Sequence, residues 1–493
     1  MSGIGVTDWV IVAAYVALVA GLGFHFARTE KNADDYFTGG HAMNGFAVGL
    51  SIFAAAFSAA AFVMLPREGA YRNWSLLSVL LLIPLFITPL LWLVFVPLYT
   101  RLRLRSVYEY LSIRFHPRLR RLGAILFFGY AFGWLGSMLY TLVLILDAVI
   151  GLSQPQFVFT LTAIGVVAIL YSCSGGLKGI IWLDVLQALT LGGCVIVILL
   201  LALGRIDGGL AAVIETGRAH AKFNLADLSA GVKDQTSVWW VLALALFVYL
   251  PGYTTSQVTV QRYLSMSGPK ELHRALTLNA VVATAVYFLF MLTGTVMFVY
   301  YTQTAGAMPA VASQDQILPH FIVRDLRVPG IAGLMCAGLL AAALSTLEGG
   351  INSIASVWTY DLLDRRETSV RANYLRTALI GIGVIGAALL APYIGKNFID
   401  QITAVASTFL GLLLGVYVLG MFSSRANAGG AAAGLAAGAA GVALVFLNPA
   451  FPAWWSGAFA FVPTLLIGRL ASGFFPPPTP EQRRGLFVKQ SET

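Results

Sequence analysis

Two carboxylates, Asp184 and Glu348, stand inside stretches of chain that are otherwise almost free of charge. A charge in such a setting is costly and usually functional. Glu348 lies three residues after Ser345, so on a helix the two share a face. With Asp184 and Glu348 near one another on the cytoplasmic side, several arrangements are open: a shared proton, a second cation site, a gate, or a plain salt bridge to a nearby Lys or Arg. Tyr249 and Tyr253 flank Pro251-Gly252 and have the chemistry to stack on or hydrogen-bond a small solute. Ordinary helix packing is the competing explanation for each of them. Cys173, Cys194 and Cys336 have no metal-ligand spacing and read as small packing residues. The six His and the intramembrane acids form no catalytic arrangement, so an enzyme is not expected. No Walker A string is present to cradle a nucleotide, which argues against an ATP-driven pump.

The elements that must carry these groups follow from hydropathy. The chain has 493 residues, 58% hydrophobic and only 11% charged, against roughly a quarter charged in a soluble domain. The apolar residues fall into continuous runs of about 20 or more, the length a helix needs to cross about 30 Å of hydrocarbon. A β-barrel would alternate in short segments, so an all-α polytopic membrane protein is expected. The expected spans, about thirteen, are 8–27, 45–65, 74–99, 122–151, 156–173, 179–204, 237–264, 273–303, 328–361, 373–396, 398–421, 428–448 and 451–471. The first is too long, and lacks the cleavage site, for a signal peptide. The net charge of +9 is not a nucleic-acid signature. Most of it falls on one side, with Arg101, Arg103, Arg105, Arg114, Arg118, Arg120 and Arg121 in a single loop. By the positive-inside rule that loop is cytoplasmic, the N-terminus is outside and the C-terminus is cytoplasmic, in a multi-pass protein of the cell's inner (plasma) membrane.

The longest loops, 205–236 and 304–327, then face outward. A short surface helix is expected over Gly208 to Arg218, and Ile317-Leu318-Pro319 is read as dipping back towards the core. The tail 476–493, with Pro476, Pro477, Pro478 and Pro480, is read as a disordered cytoplasmic end. Two spans look interrupted. Pro251-Gly252 falls in mid-span, where Pro removes a backbone hydrogen bond and Gly weakens the helix. The small-residue run from Ala54 to Ala61 permits close packing without forcing a break. Each span opens a set of five helices, and breaks at matching places in two halves point to an inverted-repeat transporter with its site at the midplane. A Pro kink and a tight seam explain the same pattern.

Residue strings narrow the choice. Asn32-Ala33-Asp34-Asp35-Tyr36-Phe37-Thr38-Gly39-Gly40 and Gly49-Leu50-Ser51 resemble the opening signature of the sodium:solute symporter family. So do Ser106-Val107-Tyr108-Glu109-Tyr110-Leu111 with Arg114-Phe115, Gly175-Gly176-Leu177-Lys178-Gly179, and Trp182-Leu183-Asp184-Val185-Leu186-Gln187. Val260-Gln261-Arg262-Tyr263 and Gly420-Met421-Phe422 with Arg425-Ala426-Asn427-Ala428 complete the set in the family's order, from about residue 8 to 430. The branch it resembles most holds bacterial sialic acid carriers and mammalian monocarboxylate and sugar carriers. The resemblance implies a LeuT-type fold: an extra N-terminal helix in 1–44, inverted five-helix repeats at 45–204 and 237–421, and two C-terminal helices in 422–475. It implies sodium-coupled symport by alternating access. It also implies a sodium cage made from the backbone oxygens of Ala54, Phe57 and Ala342 and the hydroxyls of Ser345 and Thr346. The competing explanation is that both hydroxyls bond back to their own helix.

In relatives with a second sodium, the aspartate matching Asp184 works with hydroxyls where this chain has Glu348 and Gly349, which puts an ordinary second sodium site in doubt. For the solute, the resemblance points to Ser58, Trp134, Tyr249, Tyr253 and Phe409. Trp134 stands where sialic acid carriers have the arginine that pairs the substrate carboxylate. Without a fixed cation a carboxylate is poorly compensated, so a neutral polar solute, a sugar or sugar derivative, ranks first. A monocarboxylate or amino acid carried with sodium comes second, since broken-helix N-termini bind small anions. The other classes weighed are a non-transporting sensor, which usually appends a signalling domain that this chain's short end leaves no room for, and a channel, for which no filter motif is evident. The expected partners are the solute, sodium and the bilayer, with no nucleic acid, and the protein is expected to work as a monomer.

Overall fold

The structure, a computed structural model, describes residues 5–27, 35–102, 104–226, 231, 234, 237–311, 313–365, 369–393, 398–448 and 450–487. Asn32 to Asp34 of the first family string and the last residues of the tail, 488–493, lie outside this set. Among the described residues eleven helices are long and apolar enough to cross a membrane, or thirteen when each of two bent pairs counts as one span. In chain order they are α1 (Val6–Phe26), α2 (Gly45–Ala56 and Ala59–Tyr71), α3 (Ser75–Leu102), α4 (Pro117–Asp147), α5 (Gln154–Cys173), α6 (Gly176–Leu203) and α7 (Val238–Thr254 and Gln257–Leu264). They continue with α8 (Pro269–Thr304), α9 (Ile331–Leu362), α10 (Val370–Tyr393), α11 (Thr403–Phe422), α12 (Ala428–Leu447) and α13 (Ala453–Phe474). Large apolar side chains such as Leu85, Leu93, Phe159, Leu189 and Leu200 are exposed along these helices, as a lipid-facing surface requires.

Several boundaries run past the hydropathic ones because charges are neutralised where they enter the fold. α2 continues to Tyr71 although Arg67 and Glu68 end its apolar run: Arg67 pairs with Glu68, and its Nη1 lies 2.9 Å from Asp315 Oδ1. α4 starts at Pro117, where Pro suits a first turn and the His116 ring caps the Arg118 N–H at 3.1 Å. The surface helix forms at Gly209–Ala219. Ile317 and Leu318 are buried in the short helix Ile317–His320.

The two halves of α2 meet at 70° and those of α7 at 40°. In α2 the chain leaves the helix at Phe57 and Ser58, both extended, and the Ser58 hydroxyl caps the second half by accepting from Ala61 N at 3.0 Å. The interruption in α7 is not at Pro251-Gly252, as the sequence led us to expect, but at Thr255-Ser256. A π-helical turn at Ala245–Tyr249 widens the helix just ahead of Pro251 and absorbs its missing N–H. The helix then runs on until the Pro251 carbonyl collects both Thr255 N at 2.8 Å and Ser256 N at 3.1 Å.

α9 is the axis of the molecule. Every side chain from Ala341 to Val357 is buried, against α1, α2, α4, α5, α6, α7 and α10. α1 is fixed to its start by Asp8, whose Oδ1 accepts Gly333 N at 2.7 Å. α2 and α8 cross at two glycines: a Cβ on Gly69 would strike the Met291 carbonyl, and one on Gly294 the Pro66 carbonyl. Small residues at such crossings let backbones approach in lipid.

The tail departs from expectation over 476–487, which is ordered against the protein. Prolines lack an N–H and so need few partners; this stretch carries the turn Gln482–Gly485 onto the Arg-rich loop. Gln482 Nε2 donates to Phe115 O at 2.6 Å, Tyr110 Oη to Gly485 O at 3.1 Å, and Phe487 N to Met421 O at 2.9 Å. Arg101 donates to the Leu486 carbonyl, and Gly485 lies against the buried stem of Arg114.

Two predictions follow from these contacts. Gly294→Val forces α2 and α8 apart, and size-exclusion chromatography in detergent is expected to show little folded, monodisperse protein. Truncation after Phe475 strips the cover from Arg114, and a thermal melt is expected to fall by several degrees, about 1–2 kcal/mol; an unchanged melt would mean the strap contributes nothing.

Candidate functional site

The break in α2 sets the site. Helix geometry would send the carbonyls of Ala54 and Ala55 to N–H groups four residues on, but the chain turns away at Phe57 and Ser58. Those carbonyls meet α9 instead. Ser345 Oγ lies 2.9 Å from Ala54 O and 3.0 Å from Ala342 O, and Thr346 Oγ1 lies 3.2 Å from Ala55 O and 3.1 Å from Ala342 O. Each hydroxyl therefore has one carbonyl acceptor on its own helix and another on the broken one, between which its single proton is shared. Phe57 is the first non-helical residue of the break, and its ring stacks on Tyr287 with centroids 5.4 Å apart. Among the described residues no group of three His, Cys, Asp or Glu side chains forms, so what this cluster offers is neutral oxygen.

A cavity of about 150 Å³ lies on the other side of the same break. Ala55 and Ser58 from α2, Trp134 from α4, and Tyr249 and Tyr253 from α7 all line it. Four of the five residues expected to meet the solute are thus brought together. Phe409 is not among them. Successive steps of three residues rotate around a helix, so Thr403 and Ala406 reach the cavity, whereas Phe409 turns onto Gly129 of α4. Trp134 stacks on Tyr130, centroids 5.5 Å apart and planes 12° from parallel, giving the cavity a flat aromatic wall. No charged side chain lines the cavity among the described residues. Tyr130, Trp240, Ser256 and Tyr287 also line it. The sequence reading missed these four, which carry no periodicity or motif of their own.

The two carboxylates differ in their company. Asp184 Oδ2 lies 2.8 Å from Arg262 Nη2 and accepts the Ser51 hydroxyl at 2.5 Å, with all three side chains buried. Arg262 Nε in turn donates to Ser51 Oγ at 2.7 Å, and Nη1 to Val258 O at 2.6 Å. Of the arrangements the sequence left open, Asp184 takes the ion pair. Glu348 accepts from Gln187 Nε2 at 2.9 Å, and its Oε2 has no hydrogen-bond partner among the described residues. Gln187 is one turn from Asp184 on α6, so both acids address the same stretch of that helix. Gly349 leaves room for the guanidinium: a Cβ there would lie 2.6 Å from Arg262 Nη2.

Comparison with known proteins agrees with this geometry. The sequence profile of the sodium:solute symporter family matches residues 36–438. The chain is 30% identical to the sodium/sialic acid symporter NanT of Aliivibrio fischeri, over 96% of this chain and 94% of that protein. It is also 30% identical to the human sodium/iodide cotransporter, over 88% of this chain and 69% of that protein. A solved sodium-coupled sialic acid symporter in a substrate-bound, outward-open state superposes with a TM-score of 0.87 at 28% identity, covering 96% of this chain and 99% of that one. A nucleobase-cation-symport-1 family transporter, at 15% identity and a TM-score of 0.53, shares the fold. With thirteen apolar spans, two of them broken, and an oxygen cluster beside an uncharged cavity, the chain belongs to the sodium:solute symporter family and is a LeuT-type, sodium-coupled secondary transporter rather than an enzyme.

Proposed function

We propose that the protein carries an uncharged sugar or sugar derivative inward together with sodium, and that the sodium is held by the carbonyls of Ala54, Phe57 and Ala342 with the hydroxyls of Ser345 and Thr346. The observation that carries this reading is the double role of Ala55: its carbonyl accepts Thr346 across the break, and the residue also lines the solute cavity. Sodium is a hard cation that takes several neutral oxygens, and an unwound helix offers carbonyls for that purpose. Ser345 Oγ already lies within 3.0 Å of the Ala54 and Ala342 carbonyl oxygens, and Thr346 Oγ1 lies 3.1 Å from that of Ala342. An ion placed among them draws the hydroxyl oxygens as ligands and ties α2 to α9. The wall formed by α2 is then held in the shape that receives the solute. By linkage each ligand raises the affinity of the other, and the doubly loaded state is the one that shifts towards release inside.

The sugar class rests on the sialic acid relative together with the cavity's own lining. The absence of any charged group from the cavity lining among the described residues favours a neutral derivative over a free acid, because a buried carboxylate without a cation is costly. The repeats 45–204 and 237–421 are the moving halves in this reading, with α2 and α7 as the broken first helix of each. Orientation follows the positive-inside rule: the Arg-rich loop and residues 482–487 touch, so both lie on the cytoplasmic face of the inner membrane, opposite the N-terminus. One chain holds the oxygen cluster and the whole cavity, which supports a monomer as the working unit.

In proteoliposomes with an inward sodium gradient, Ser345→Ala and Thr346→Val are each expected to raise the sodium concentration for half-maximal uptake about tenfold, equivalent to ~1.4 kcal/mol. Unchanged sodium dependence in both variants would remove this cluster from the ion path. Asp184→Asn leaves Arg262 buried without its partner and is expected to cost about 3–5 kcal/mol of stability. Asp184→Asn with Arg262→Met is expected to recover much of that loss in a thermal melt, and strictly additive losses would contradict the pairing.

A further inference from the structure

Two residues that line the central cavity each carry a buried polar atom with no hydrogen-bond partner among the described residues. Trp240 Nε1 and Ser256 Oγ are buried, their residues 2% and 1% exposed, and neither has a hydrogen-bond partner among the described residues. An indole N–H is a donor only, while a serine hydroxyl donates and accepts. Buried polar groups are nearly always paired, so each exception calls for a reason. The two come from different parts of α7: Trp240 from the first turn of its first half, Ser256 from the break itself. Comparison with the other broken helix sharpens the point. Ser58, just before the second half of α2, spends its hydroxyl oxygen capping Ala61 N. Ser256 stands at the equivalent place before Gln257–Leu264, and its side chain makes no cap bond.

The rest of the wall limits what these groups can meet. The lining has no charged side chain among the described residues, and the Tyr130–Trp134 stack closes part of it as a flat aromatic face. A hydrocarbon solute would leave Trp240 and Ser256 unpaired. An anion would have neutral donors alone to replace its hydration, a poor exchange in a low dielectric. An uncharged molecule with hydroxyl, carbonyl or ring oxygens satisfies both donors and lays an apolar ring face on the aromatic wall.

We propose that Trp240 and Ser256 are solute-binding donors that select an uncharged, oxygen-bearing solute. This rests on the symport reading and adds two specificity-determining residues and a charge rule to it. A site built to hydrogen-bond its ligand discriminates sharply against analogues that leave its polar groups unpaired.

The test uses the full chain purified in detergent with sodium present. Thermal shifts are read for a panel of neutral hexoses, N-acetylhexosamines, sugar acids and the methyl esters of those acids. The expected result is stabilisation by an uncharged member, with any effective sugar acid surpassed by its methyl ester. For the most effective solute, Trp240→Phe and Ser256→Ala each raise the half-saturating concentration about tenfold. Ser256→Thr, which restores a hydroxyl, stays near the native value. Half-saturation by sodium alone, measured without solute, is unchanged in all three variants, which shows that they remain folded and ion-competent. The proposal is overturned if a free acid stabilises while its ester does not, if no uncharged member stabilises, or if both donor-removing variants bind the solute as the native protein does. Failure of sodium to stabilise or bind the native protein is a separate result that sinks the symport reading instead.

Discussion

Inside a bilayer every backbone carbonyl must find a partner within the protein, and α2 gives up its own partners in the middle of the membrane. A break there is tolerated only where something else satisfies the freed groups. Ser345 and Thr346 do so for Ala54 and Ala55, and that exchange organises the rest. It requires α9 to be buried along its length so that hydroxyls arrive at mid-span. It requires small residues around the break so that the two backbones can approach. And it turns the other side of the break outward as a cavity wall, so that whatever tightens the oxygen cluster also shapes the cavity.

A second junction holds the same half of α2 in register. Ser51 sits between Asp184 of α6 and Arg262 of α7, three residues before Ala54. The ion pair is fully buried, and its worth is better seen as registry than as net stability, since desolvation offsets much of the attraction. It fixes the second half of one broken helix against the first half of the other, so the two breaks face each other across the cavity. The guanidinium also takes up cation space beside Glu348, with Gly349 leaving room for it. The departure at Glu348 thus belongs to a neighbourhood that already holds a positive charge.

Much of this was legible in the sequence, and the parts that were not share a cause. Helix count followed from runs of apolar residues, the hydroxyls of Ser345 and Thr346 were picked out by resemblance to a known family, and the aromatic pair Tyr249 and Tyr253 by its place beside Pro251-Gly252. Composition could not say that Arg262, quoted in one of those strings, meets Asp184 seventy-eight residues away, because pairing at that range leaves no periodic trace. Pro251 misdirected the break in α7, since a π-turn upstream relieves the strain that Pro usually imposes. Proline content made 476–487 read as disordered, whereas its order comes from carbonyls meeting Tyr110 and Arg101 on a distant loop. Trp240 and Ser256 were invisible for a related reason: only the fold shows which buried donors lack partners.

The central claim is that one break couples ion and solute, and reciprocity tests it most directly. For the solute that gives the strongest sodium-dependent stabilisation, calorimetry measures solute affinity with and without sodium, and sodium affinity with and without solute. The account predicts that both affinities rise by the same factor, as a shared wall at Ala55 demands. Equal affinities in the presence and absence of the other ligand would contradict it.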